Sequence, residues 1–132
     1  MQIVMCLDDR NGIAFNGRRL SSDCIVCQRI IETKTGKIWM NSKSAKLFAE
    51  YSICVDEDFL NCADQSDTCF VEDLDFLSQL SRVTTITVYR WNRHYPSDVK
   101  LPSSVLDDWT LIASNDFRGN SHDMITEEKY VK

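Results

Sequence analysis

An uninterrupted apolar segment near the N-terminus constrains this chain most. Residues 2–7 read Gln-Ile-Val-Met-Cys-Leu, and Asp8 and Asp9 follow directly. An apolar run without alternation is typical of a strand that is buried on both faces, as in a sheet covered by helices on its two sides. We therefore expect a layered α/β domain with this segment in the central sheet.

Strand and helix patterns alternate along the rest of the chain. Ser21 or Ser22 can cap a helix that ends at Gly36, and the turn signals Asn11-Gly12 and Asn16-Gly17 precede it. Strands are predicted at 37–40, 52–55, 69–71 and 83–91, helices at 42–50, 56–63 and 72–80, and final strands at 109–114 and 124–130. This order predicts one domain over residues 1–132, with a mostly parallel sheet and antiparallel C-terminal strands.

Composition and charge restrict location and partners. The apolar start of the chain turns acidic at Asp8, so we expect no signal peptide, and no apolar run reaches the roughly 18 residues of a membrane span. The six cysteines are then expected to be free thiols in a reducing cytoplasm. A net charge of −5 argues against nucleic acids and anionic membranes as partners, and a small-molecule ligand is expected instead.

The residues that commonly bind metals do not form a recognisable motif. The two histidines, His94 and His122, are isolated, which excludes the usual metal-dependent hydrolase signatures. Cys24 and Cys27 form a C-x-x-C pair without a second close pair, so buried thiols are favoured over a zinc or redox site. The sequence also lacks a G-x-S-x-G elbow, a P-loop and a G-x-G-x-x-G motif. We expect no bound metal.

Several segments, in their order along the chain, resemble the dihydrofolate reductase family. Residues 4–13 resemble the family's first strand and the substrate loop after it, and residues 20–23 resemble the start of the next helix. The cofactor strands and the late strands have counterparts at 37–44, 69–73, 88–102, 108–112 and 122–130. The resemblance covers nearly the whole chain and implies a three-layer dihydrofolate-reductase-like fold.

The resemblance also implies roles for particular residues. Asp23 stands where the family carries the acid that grips the pterin, and a carboxylate can bind such a ring edge through two parallel hydrogen bonds. The alternative for Asp23 is a helix-start aspartate that only offsets the helix dipole. The implied substrate-binding residues are Cys6, Leu7, Cys27 and Tyr89. The implied NADPH-binding residues are Ala14, Asn41, Ser42, Lys43, Ser44, Val71, Glu72 and Asp73.

The chain departs from the family pattern where the cofactor and substrate bind. Glu72 and Asp73 replace a glycine pair that lets the backbone approach the cofactor diphosphate, and their charges would repel it. Asn41 and Ser42 replace a glycine and a phosphate-binding arginine, and Tyr89 replaces the threonine that supports the substrate acid. These departures predict no NADPH binding, or binding weaker than about 100 μM, and no reduction of dihydrofolate.

Two hypotheses follow. We favour a non-catalytic relative of dihydrofolate reductase that binds a small ligand or a partner on the same scaffold, because a fold can persist while its site changes. The alternative is a divergent NAD(P)H-dependent reductase of a pterin-like heterocycle, with Asp23 as substrate anchor.

Overall fold

The computed structural model describes residues 1–132. The strands are β1 (Gln2–Leu7), β2 (Gly12–Phe15), β3 (Arg18–Arg19), β4 (Ile38–Met40), β5 (Cys54–Val55), β6 (Thr68–Phe70), β7 (Thr85–Arg90), β8 (Val99–Lys100), β9 (Thr110–Phe117) and β10 (Ile125–Val131). The α-helices are α1 (Cys24–Thr33), α2 (Ser42–Ala45), α3 (Phe59–Cys62) and α4 (Ser103–Asp107), and 3₁₀ helices span Lys46–Phe48 and Asp75–Arg82. None of the helices has the length and apolar character needed to cross a bilayer.

A seven-stranded sheet organises the molecule, in the order β5-β4-β6-β1-β7-β10-β9. The five strands from β5 to β7 are parallel to one another, and β10 and β9 close the sheet in antiparallel pairing. The predicted α/β class, with a mostly parallel sheet and antiparallel C-terminal strands, is confirmed. β1 lies in the middle of this sheet, as its unbroken apolar sequence predicts.

Successive side chains of β1 enter two different hydrophobic clusters. Ile3 and Met5 belong to the cluster that contains Phe76, whereas Val4 belongs to the cluster under α1, with Val26 and Ile30. Because side chains alternate along a strand, one continuous apolar run supplies both cores. The sheet therefore forms the middle of three layers.

The helix expected at 72–80 is present as a 3₁₀ helix over Asp75–Arg82. Leu74, Leu77 and Leu80 all pack against the cluster around Phe76. Their spacing of three residues matches the period of a 3₁₀ helix, in which side chains three apart lie above one another. The leucine spacing thus explains why this segment forms a 3₁₀ helix and not an α-helix.

A small second sheet, in the order β3-β2-β8, was not predicted. Asn16 occupies a left-handed conformation at φ 55° between β2 and β3, which a turn of this kind requires. Its backbone N–H donates to Asp98, and the backbone N–H of Asp98 donates to Ala14. This sheet holds Arg19 beside the carboxyl end of β6, next to the candidate site.

Candidate functional site

Asp23 occupies the N-cap of α1, the position for which Ser21 or Ser22 was expected. Its carboxylate accepts hydrogen bonds from the backbone N–H groups of Ile25, Asn120 and Ser121 at 2.8–3.0 Å. Ser121 Oγ at 3.2 Å and a ring nitrogen of His122 at 3.0 Å also contact it. Burial pushes the pKa of Asp23 upward, but these hydrogen bonds outweigh burial and hold it well below its usual range. Asp23 is therefore an ionised carboxylate whose two oxygens are already bound.

His122 lies beneath the start of α1, pressed against an aromatic ring. Its side chain is 2% exposed and stacks on Trp91, with ring centroids 4.6 Å apart and planes 22° from parallel. His122 Nδ1 lies 3.0 Å from Asp23 Oδ2, while Nε2 lies 3.0 Å from Ser21 Oγ and 3.3 Å from Tyr95 Oη. A carboxylate can only accept, so Nδ1 donates to Asp23, and neutral His122 has Nε2 free to accept.

An arginine–carboxylate pair lies on the opposite side of the candidate site. Arg19 donates to Glu72 through Nε at 2.7 Å and through a terminal nitrogen at 2.8 Å. Ser44 Oγ donates to the same carboxylate at 2.6 Å. Two parallel bonds from arginine fix both position and angle, so β3, β6 and α2 are tied together at this point.

The space between Asp23 and this pair is almost filled. A cavity of about 20 Å³ remains, lined on its polar side by Arg19, Ser21, Ser22, Asp23 and Glu72 and elsewhere by apolar side chains. That volume suffices for about one water molecule, whereas sites for small organic ligands measure hundreds of cubic ångströms. A larger open cleft of about 260 Å³ adjoins it on the outside and shares Asp23 and Cys27 with it.

The predicted substrate-binding residues separate into two groups. Cys6 and Cys27 line the small cavity, and burial raises the pKa of both thiols, that of Cys27 to about 11. Leu7 instead lies in the hydrophobic core. Tyr89 is also buried, and its hydroxyl donates to Glu127 at 2.7 Å. Burial and the contact with Glu127 raise the pKa of the Tyr89 hydroxyl. The structure thus brings only Cys6 and Cys27 to the cavity.

Four of the predicted cofactor residues lie at the start of α2 or within it: Asn41, Ser42, Lys43 and Ser44, whose contact with Glu72 is described above. Asn41 caps this helix by accepting a backbone N–H at 2.9 Å. Ser42 hydrogen-bonds to Glu57, and Lys43 donates to the backbone carbonyl of Gly17. These side chains, for which cofactor contacts were predicted, are thus engaged within the protein.

The other predicted cofactor residues follow β6 or lie in β2. Val71 and Glu72 line the small cavity, but Asp73 faces away from it and accepts the backbone N–H of Asp75 at 3.0 Å. Ala14 is buried in β2. An open surface cleft of about 310 Å³ follows the carboxyl ends of β4 and β6 and is lined by Asn41, Glu57, Asp58, Phe59, Leu60, Asn61, Asp73, Asp75, Ser78 and Gln79. It contains four carboxylates and no lysine or arginine.

His122 and Trp91 belong to the candidate site although the sequence did not identify them as site residues. His122 was recognised only as isolated, because its partner Asp23 lies 99 positions away. Trp91 directly follows β7 at a strand end, which is where sites on open α/β sheets collect. No group of three or more histidine, cysteine, aspartate or glutamate side chains is arranged to hold a metal ion.

Comparisons with known proteins support the fold. No protein-family model and no curated protein matches the sequence. Among solved structures, the chain is similar to a dihydrofolate reductase from Enterococcus faecalis complexed with NADP(H) and RAB-propyl, with a TM-score of 0.69 and 9% sequence identity. The similarity covers 98% of this chain and 94% of that one. The fold is therefore dihydrofolate-reductase-like, and an identity this low shows the fold alone.

Proposed function

We propose that this protein is a non-catalytic relative of dihydrofolate reductase that binds a small ligand or a protein partner in the cytoplasm. The observation that carries this proposal is the filled cleft between Asp23 and the Arg19–Glu72 pair. A pterin ring cannot enter about 20 Å³, and the Asp23 carboxylate already accepts hydrogen bonds at both oxygens. Pterin binding would therefore have to break buried hydrogen bonds, each of which costs about 1–3 kcal/mol.

The charges near the cofactor residues support the same conclusion. Dinucleotide sites hold the diphosphate with backbone N–H groups and positive charge. Here, the one arginine beside β6 is paired with Glu72, and the neighbouring cleft carries Glu57, Asp58, Asp73 and Asp75. A diphosphate in that cleft would meet repulsion and no free cation, which favours weak NADPH binding or none.

The outer cleft beside α1 is the most suitable place for a small ligand. It measures about 260 Å³ and combines apolar walls from Leu47 and Tyr51 with Lys46, Glu50 and the exposed thiol of Cys24. That volume is slightly below the usual range for drug-sized ligands, which suits a small metabolite rather than a dinucleotide.

The alternative, a divergent NAD(P)H-dependent reductase, is favoured by one observation. The similar solved structure is a reductase complexed with NADP(H), and the similarity extends over nearly both chains. For this alternative to hold, the Arg19–Glu72 pair must open and Arg19 must turn toward the cofactor.

NADPH titration followed by intrinsic tryptophan fluorescence separates the two candidates. Trp91 lies beside the site and reports on binding there. We expect no saturation below about 100 μM NADPH and no oxidation of NADPH when dihydrofolate is added. A dihydrofolate reductase measured in parallel is the positive control. Saturable binding at low micromolar NADPH would restore the reductase alternative.

A further inference from the structure

Ser21, His122 and Asp23 form a chain of hydrogen bonds that neither the fold nor the proposed function explains. Ser21 Oγ lies 3.0 Å from His122 Nε2, and His122 Nδ1 lies 3.0 Å from Asp23 Oδ2. Both distances fall within the range of about 2.6–3.2 Å that joins a nucleophile, its base and the group that orients the base. The order of groups is that of a serine nucleophile with a histidine base and a buried carboxylate.

Neighbouring groups hold the Asp23 carboxylate and the His122 ring in one orientation. Asp23 is fixed by backbone N–H groups from two separate segments, so its carboxylate cannot rotate away from His122. Trp91 stacks on the imidazole and blocks ring rotation. Because Nδ1 donates to Asp23, the lone pair of Nε2 on the neutral ring points at hydroxyl groups.

Ser21 differs from the other two residues because it is reachable from solvent. Ser21 is partly exposed, whereas Asp23 and His122 are buried. A surface groove of about 330 Å³ is lined by Arg19 and Leu20, which directly precede Ser21, together with Phe15, Arg18, Tyr95 and Pro96. Tyr95 connects this groove to the hydrogen-bonded chain, because its hydroxyl contacts His122 Nε2 as Ser21 does. The groove can accommodate the acyl or alcohol part of a small ester.

We propose that Ser21 is a nucleophile that small carboxylic esters acylate, with His122 as general base and Asp23 as the residue that positions His122. Ser21 Oγ attacks the ester carbonyl and passes its proton to Nε2. A bond forms between Oγ and the acyl carbon, the bond to the ester's alcohol oxygen breaks, and the departing alkoxide takes the proton from the imidazolium. Water then hydrolyses the acyl-serine by the reverse sequence of proton transfers. This reaction needs neither hydride transfer nor NADPH, so it is compatible with the loss of reductase activity proposed above. It replaces the wholly non-catalytic interpretation by one in which only the reductase chemistry is lost.

The test uses the full-length protein with p-nitrophenyl acetate and, separately, an alkyl fluorophosphonate. We expect release of p-nitrophenolate with the acetyl group on Ser21, and a phosphonate on Ser21 with loss of fluoride. Peptide mass spectrometry identifies the modified residue in each case. In Ser21→Ala, which lacks the attacking oxygen, both modifications at residue 21 should be absent. Ser104→Ala is the matched control and should react as the unmodified protein does, because Ser104 is an exposed serine of α4 that makes no hydrogen bond with His122.

A second variant tests the role of the base. His122→Gln keeps Ser21 but cannot accept its proton, so the rate of labelling at Ser21 should fall by about a hundredfold or more, the contribution of a positioned general base, with circular dichroism used to verify folding. If His122→Gln does not fold, the position of the label on the unmodified protein and its loss in Ser21→Ala still decide the matter. Absence of label on Ser21, or equal labelling of Ser21→Ala, would overturn the proposal.

Discussion

Arg19 and Glu72 lie 53 positions apart in the chain and are joined by two parallel hydrogen bonds of 2.7 and 2.8 Å. The pair connects the small sheet to the carboxyl end of β6 and forms part of the polar lining of the small cavity. Glu72 therefore fills a structural position here, where the resemblance to dihydrofolate reductases implied a glycine that approaches a cofactor.

Removing this pair should lower the free energy of unfolding, and the effects of the two single substitutions should not add up to the effect of the double substitution. Both side chains are partly buried, at 29% and 18% exposure, so we expect a coupling energy of about 1 kcal/mol between Arg19→Met and Glu72→Gln in a double-mutant cycle. Urea unfolding of the four proteins measures it. Arg18→Met is the control, because no ion pair involves the exposed Arg18 side chain. Full additivity of the two changes would contradict the role assigned to the pair.

Removing negative charge after β6 should strengthen NADPH binding. Asp73 costs a nearby diphosphate about 1 kcal/mol, and removal of Glu72 frees the charge of Arg19 to attract it by about as much. Glu72→Gly with Asp73→Gly should therefore lower the NADPH Kd by roughly thirtyfold. The pair Glu72→Gln and Asp73→Asn removes the charge without adding backbone freedom and separates the two effects. Asp107→Asn with Asp108→Asn makes the same change of net charge in α4 and directly after it. No gain over that control would show that NADPH does not approach Glu72 and Asp73.

Acid should destabilise the fold through three buried aspartates. Burial alone would raise the pKa of Asp8, Asp23 and Asp67. The hydrogen bonds that their carboxylates accept have the larger effect, so all three pKa values lie below the ordinary 3.8. A lowered folded-state pKa adds stability that is complete above the unfolded value and is lost as the pH falls through the folded value. We therefore expect the free energy of unfolding to decrease progressively below about pH 4. Urea midpoints from neutral to acidic pH measure this, and a midpoint that rises on acidification would contradict it.

Substitution of Asp67, the buried aspartate whose contacts include no residue of the candidate site, should lower stability through lost hydrogen bonds alone. Asp67 accepts the backbone N–H groups of Asp64 and Lys37 and the indole N–H of Trp39 at 2.9–3.0 Å, which fixes the chain before β4. Asp67→Ala leaves these donors unsatisfied and should cost about 3 kcal/mol. Asp64→Ala, at an exposed position in the same turn, should change stability by less than about 0.5 kcal/mol. Equal effects of the two changes would show that the side chain of Asp67 is not the cause.

The cysteines should react in two phases with a thiol reagent. Cys24 and Cys62 are exposed, whereas burial raises the pKa of Cys27 to about 11 and that of Cys69 to about 12. Because the thiolate is the reactive form, Cys24 and Cys62 should react first in the native protein and all six in denaturant without reductant. Peptide mapping after a short exposure identifies the residues. Fewer than six reactive thiols in denaturant would indicate a disulfide bond.

The sequence by itself determined the class of fold because local pattern carried enough information. The apolar run at 2–7 and the alternation within 83–91 correctly predict β1 and β7, the adjacent parallel strands at the centre of the sheet. The same reasoning placed the strands near residues 38, 54 and 69, since short apolar segments between turn residues are typical of buried strands. Over 72–80 it predicted a helix without its type, and the leucines three residues apart there form a 3₁₀ helix that begins at Asp75.

The candidate site depended on contacts that no local pattern encodes. The sequence identified Asp23 as important but could not show that Asn120, Ser121 and His122 occupy its carboxylate, since these residues lie almost a hundred positions away. The sequence likewise predicted that Glu72 would repel the cofactor diphosphate. It could not show that Arg19 pairs with Glu72, because the two meet only when β3 folds over the end of β6. Sequence patterns report on which face of a strand or helix is buried. Which polar side chains meet at the ends of those elements is decided by the tertiary packing, where a single hydrogen-bond partner changes what a carboxylate can do.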